Sequence, residues 1–315
     1  MADEEAIPVG GQADTRRRLT RHQYLDPAVL ARLGSFNLLA RRVVEGFISG
    51  LHKSPHHGFS VEFSEHREYT PGDDPRYLDW VALARSDRYY VKQFEQETNL
   101  RATIVLDTSG SMNYASGGGL TKLQYASFLA ATLAYLMTRQ QDAVGLVLFD
   151  DAVRLNMPPG QSAVHLNEMC TRLEQAVPGT DTDISTTFHQ LAESIKRRGL
   201  VIILSDLLDE QREVLRAIRH FRQKRHEVIV FQILDRAELE LPFTRLVAFR
   251  DLETDQRLQV DPRDIREAYV RELQGFIDNY RRNFVENNVE YVLTDTSVPY
   301  DFMLTAYLAK RQKTT

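Results

Sequence analysis

The sequence predicts an α/β fold, a mostly parallel β-sheet with helices on both faces, preceded by a smaller helical and extended N-terminal region. Three observations carry this. Short apolar runs at 103–106, 145–149, 200–205 and 227–233 have the length and β-branched content of strands buried on both faces. Segments of helical period at 123–138, 165–175, 185–198 and 210–223 alternate with them, which implies right-handed crossovers. Two of the runs stop abruptly in an acid, Asp107 and Asp206, and open α/β sheets bind ligands at the C-terminal ends of their strands.

Composition bounds the function. A chain of 315 residues, 43% of them hydrophobic, can bury a sizeable core and hold two domains. Its 39 Lys and Arg against 44 Asp and Glu give a net charge of −5, which argues against a dedicated nucleic-acid surface. A single cysteine, Cys170, excludes an intramolecular disulfide and fits a reducing compartment. No apolar run reaches the roughly 20 residues that span a bilayer, and MADEEAIPVG lacks a signal-peptide pattern. The expectation is a cytoplasmic protein with no membrane insertion and no nucleic-acid partner.

Taken in order, residues 1–24 are a polar tail expected to be disordered, with Arg16, Arg17, Arg18 and Arg21 a solvated flank rather than a phosphate contact. Residues 25–97 form the N-terminal region. A helix is expected over 27–51, with Asp26 as N-cap, Pro27 at its first position, and Gly34 and Gly50 as places to kink or end. His52, His56 and His57 read as loop residues. The stretch 71–75, PGDDP, is a turn, since Pro fixes φ, Gly accepts positive φ and Asp bonds nearby amides. Arg67, Tyr69, Arg76, Asp79, Trp80 and Arg85 surround it. The interleaved arginines favour an ion-pair network over acid–base catalysis by Asp73, Asp74 and Asp79.

Residues 98–315 form the sheet domain. After the first strand, 113–119 is expected to be a flexible Gly/Ser loop, and Thr121 caps the helix 123–138. A hairpin-like strand starts at 151–155. Two short strands flank a turn at 253–255 within 246–260, a long helix covers 264–286, and a last strand covers 290–294. Asp295, Thr296 and Ser297 start a helix over 300–308.

The chemistry concentrates at the end of the first strand. Asp107, Ser109 and Ser111 offer a carboxylate and two hydroxyls at alternate positions, with Gly110 allowing the bend between them. These are hard oxygen donors, suited to Mg²⁺. Side-chain capping of a following helix is the competing explanation for the same residues. Two further stretches bear on it. Residues 177–184, VPGTDTDI, bring Thr180 and Thr182, and 200–206, LVIILSD, brings Asp206. Capping accounts for each stretch separately but not for a shared sheet edge.

The DxSxS pentad, the Thr loop and the strand-terminal Asp resemble the metal-ion-dependent adhesion site of von Willebrand factor A (vWA) domains, which have a Rossmann-like fold. The resemblance implies a site of Asp107, Ser109, Ser111, Thr182 and Asp206 binding Mg²⁺ or Mn²⁺, with Thr180 as the alternative to Thr182. Leu207 departs from the family, where Gly often follows the Asp. The segment Arg67, Tyr69, Pro71, Gly72, Asp73, Asp74, Arg76, Asp79, Trp80, Ala84 and Arg85 resembles the core motif of the domain-of-unknown-function 58 family, which precedes a vWA-like domain.

These resemblances imply a non-enzymatic, cation-dependent protein-binding module whose partner supplies an Asp or Glu to the metal. They also imply work with a MoxR-type AAA+ ATPase in complex assembly or maturation. The first alternative is a Mg²⁺-dependent phosphoryl-transfer enzyme with Asp107 as nucleophile, which lacks a second acid at position 109 to serve the leaving group. The second is a scaffold with a vestigial metal site.

Overall fold

The computed structural model describes residues 100–179, 184–250 and 257–299, with Leu252, Tyr89, the strands at 66–68 and 90–92, and Ala40, Arg41 and Val44. Two short strands, β1 (His66–Glu68) and β2 (Tyr90–Lys92), pair antiparallel around the PGDDP segment, which lies outside the described residues. The central sheet has six strands. They are β3 (Arg101–Asp107), β4 (Ala143–Phe149), β5 (Val153–Gly160), β6 (Leu200–Ser205), β7 (Glu227–Leu234) and β10 (Glu290–Asp295), in the order β10-β7-β6-β3-β4-β5. Every pairing is parallel except β4 with β5. A separate antiparallel hairpin joins β8 (Val247–Arg250) to β9 (Arg257–Val260), as the sequence predicts for 246–260.

Among the described residues from 100 onward the helices are α1 (Lys122–Arg139), α2 (Ala163–Glu174), α3 (Ile184–Ser194), α4 (Gln211–Gln223), α5 (Arg236–Glu240) and α6 (Pro262–Glu286). They cover both faces. Ala102, Ile104 and Leu106 of β3 pack with α1 and α2, while Val105 packs with α3, α4 and α6. This alternation explains why β3 reads as a continuous apolar run. On the second face an edge-to-face chain runs from Phe149 to Phe188 (5.1 Å) and on to Phe221 (6.0 Å), which fixes α3 and α4 against the sheet. Helix α1 is buried nearly all round, and Ala40 of the N-terminal region joins its cluster. Its start is secured by the capping box of Thr121 and Gln124.

Four features differ from the sequence expectations. Strand β5 runs on through Pro158 and Pro159, because an edge strand does not need the amide hydrogen that Pro lacks. Helix α3 stops at Ser194 rather than 198, where Gly199 must approach the Arg101 carbonyl so closely that a Cβ would sit 2.2 Å from it. Helix α5 was hidden by its length of five residues, although Asp235 and Glu238 form a capping box. The 113–119 loop is held at two points, by the Ser116 amide to Asp235 Oδ2 (3.1 Å) and the Lys122 amide to the Tyr114 carbonyl (3.0 Å). The expected tail, helix 27–51 apart from Ala40, Arg41 and Val44, and helix 300–308 lie outside the described residues. Among the described residues no helix is long and apolar enough to cross a membrane.

Candidate metal centre

Strand pairing brings the two strand-terminal acids to one edge. Leu106 lies opposite Leu204 in the β3–β6 register, so Asp107 and Asp206 emerge from adjacent parallel strands. Both are almost fully buried, at 0% and 1% exposure. The residue between Asp107 and Ser109 explains the alternate spacing. Thr108 turns back to β4, its amide and hydroxyl both donating to the Phe149 carbonyl (2.7 and 2.8 Å), which leaves Asp107 and Ser109 directed away from β4.

The capping explanation fails at Ser109. The turn Gly110–Asn113 is a 3₁₀ helix that Ser109 precedes, yet its side chain caps nothing. Its hydroxyl lies 3.1 Å from that of Ser111. The buried Ser109 and the half-buried Ser111 therefore present two oxygens side by side. Asp107 is held by neutral donors on both oxygens. Its Oδ1 accepts the Ser109 amide (2.9 Å) and its Oδ2 accepts the Ser205 hydroxyl (2.6 Å).

Thr180 and Thr182 lie outside the described residues, but both flanks of their loop are anchored at this edge. The Gly179 amide donates to the Thr108 carbonyl (2.6 Å), and the Ile184 amide donates to Asp209 Oδ2 (3.1 Å) in the loop after β6. Gly179 is required there, since a Cβ would stand 2.4 Å from Asp150 Oδ2.

Three participants were missed in the sequence. Lys122 has no exposed side-chain surface, and its ammonium bridges Asp206 (2.7 Å) and Glu238 (2.6 Å). A lysine at the first position of a helix opposes the helix dipole, and that oddity was the available signal. Ser205 and Glu238 complete the network. Leu207 adopts φ 58°, the left-handed region where the family's Gly would be at ease, and is fully buried. Its amide donates to Ser205 Oγ (3.0 Å) and its carbonyl accepts the Tyr280 hydroxyl (3.2 Å), so the departure is accommodated by packing. Gln232, itself held by the Tyr291 hydroxyl (2.5 Å), donates to the Asp206 carbonyl (2.8 Å).

The charges do not balance. Burial, and then the neighbouring Asp206 carboxylate, push Asp107 up to about 7 against the hydrogen bonds of Ser205 and Ser109. Burial works against the Lys122 charge, but Asp206 and Glu238 outweigh it and raise the ammonium above its ordinary value. No cationic side chain among the described residues pairs with Asp107. An uncompensated buried carboxylate beside two hydroxyls suits a hard divalent cation. Among the described residues no three His, Cys, Asp or Glu converge as ligands, so any cation here relies on hydroxyl donors.

"Uncharacterized protein Rv1480" of Mycobacterium tuberculosis is 28% identical over 253 residues, 78% of each chain, and "Uncharacterized protein Mb1516" of Mycobacterium bovis matches equally. Among solved structures, the conserved hypothetical protein BatB from Bacteroides thetaiotaomicron is similar with a TM-score of 0.45 at 17% identity, over 68% of this chain and 99% of that one. The SpRpn10 VWA domain is similar with a TM-score of 0.37 at 11% identity, over 66% and 94%. Likeness of this degree carries no activity across. Residues 65–275 match the family described as "Protein of unknown function DUF58", from β1 into α6 and short of β10, and the chain belongs to that family.

Proposed function

We propose that this protein is a non-enzymatic protein-binding module whose affinity depends on Mg²⁺ or Mn²⁺ held by Asp107, Ser109, Ser111, Thr182 and Asp206, with Thr180 replacing Thr182 in the alternative alignment. The observation that carries the reading is the buried Asp107–Asp206 pair, which among the described residues has one cation, Lys122, between its second acid and Glu238 and none beside Asp107. In this reading the serine and threonine hydroxyls contact the ion and the carboxylates hold it from behind. Neutral hydroxyls leave the ion attractive to a new anion. An Asp or Glu side chain of a partner is the natural ligand. The vWA and DUF58 resemblance implies a MoxR-type AAA+ ATPase as the partner and complex assembly or maturation as the setting, by family analogy.

Phosphoryl transfer by Asp107 is the weaker reading, since Ser109 stands where the second acid that serves the leaving group would be needed. The test is binding of a MoxR-type ATPase to the full chain with Mg²⁺ and with excess chelator. The reading expects capture that chelator abolishes and that Ser109→Ala weakens at least roughly tenfold, the scale of a lost charge-assisted contact. Capture indifferent to both, or aryl-phosphate turnover lost in Asp107→Asn, would overturn it.

A further inference from the structure

The opposite edge of the sheet holds a second feature. Where α3 ends early, residues 195–199 turn back to β6, and beneath them lies a cavity of about 280 Å³. Met157, Pro159, Ile195 and Val201 supply an apolar wall. Arg101 at the start of β3, Lys196 and Arg197 in the turn, and His226 just before β7 supply the polar side. Among the described residues no carboxylate lines it, and none pairs with Arg101, Lys196 or Arg197. On a chain with a net charge of −5, a hollow whose described charged lining residues, Arg101, Lys196 and Arg197, are all cationic is a local exception.

His226 sharpens the case. It is 1% exposed, and neither ring nitrogen has a hydrogen-bond partner; the Ile195 and Gly199 carbonyls act on the ring from outside bonding geometry. A buried imidazole left unbonded costs stability unless something occupies the space beside it. Lys196 and Arg197 alone would be explained as cations complementing the C-terminal end of α3. Arg101 and His226 come from other elements and are not.

We propose that this cavity binds a small organic phosphate, its phosphoryl group gathered by Arg101, Lys196 and Arg197 and its organic body seated on the apolar wall. Guanidinium groups match phosphate oxygens two at a time, and three cations suit a dianion better than a single carboxylate. The volume is close to the lower end of small-molecule sites, about 300 Å³, and exceeds what a bare phosphate fills. This inference does not rest on the metal reading.

The test is a calorimetric titration of the full chain with phenyl phosphate, inorganic phosphate and phenol, run in chelator so that no divalent cation recruits phosphate to the other edge. One site is expected, with phenyl phosphate tighter than inorganic phosphate and phenol without measurable binding. Arg197→Glu changes an exposed side chain, so the fold is not at stake, and should weaken binding roughly tenfold or more. Arg101→Gln should act in the same direction, and Ser109→Ala should leave binding unchanged. Absence of saturable phenyl phosphate binding at millimolar concentration, equal binding of the two phosphates, or indifference to Arg197→Glu would each overturn the proposal.

Discussion

Lys122 places its ammonium between Asp206 and Glu238 with no exposed side-chain surface, so removing it strands two buried carboxylates. Breaking one side of such a network typically costs about 3–5 kcal/mol, whereas replacing all its members by apolar groups of similar size is near neutral. Lys122→Met should therefore lose stability on that scale in chemical denaturation, and the triple variant with Asp206→Leu and Glu238→Leu should recover most of it. Leu207 sets two effects against each other. Relief of its left-handed backbone by Gly is worth about 1–2 kcal/mol, but loss of a fully buried leucine costs about 2–5. Packing wins, and Leu207→Gly should destabilise by about 1–3 kcal/mol despite restoring the family's residue.

At the scale of elements, the site exists because β3 and β6 are parallel neighbours whose C-terminal ends are in step. The apolar runs made both strands legible, and their terminal acids made the edge legible. What stayed hidden depended on contacts between distant segments. Lys122 lay unremarked between the cap Thr121 and the helix expected over 123–138, and only the fold brings Glu238 to it across 116 positions. Helix α5 was too short for periodicity to reveal, and the end of α3 is set by the approach of Gly199 to β3 rather than by any local stop signal. The aromatic chain through Phe188 ties α3 to the sheet. Phe188→Ala should cost about 3–5 kcal/mol in a denaturant series.

For the molecule as a whole, stability depends on pH through groups buried at opposite edges. Burial holds the His226 imidazole below its ordinary value, so the unfolded chain takes up a proton that the folded one refuses. Its contribution to stability should be fully present above about 6.5, the unfolded value, and be lost as pH drops below it. Asp107, raised to about 7, acts in the other direction, because its folded state keeps a proton that the unfolded chain has released. The difference between wild type and His226→Phe in denaturation midpoint at pH 5 and pH 8 isolates the first effect, and the variant should lose less stability on acidification. The central claim is that the β3–β6 edge holds a divalent cation. Calorimetric titration of chelator-stripped protein with Mg²⁺ and Mn²⁺ tests it most directly, beside Ser109→Ala and Ser111→Ala, which remove oxygens without touching Lys122. The account predicts one site in wild type, lost in both variants; no binding in wild type, or binding unchanged in the variants, would contradict it.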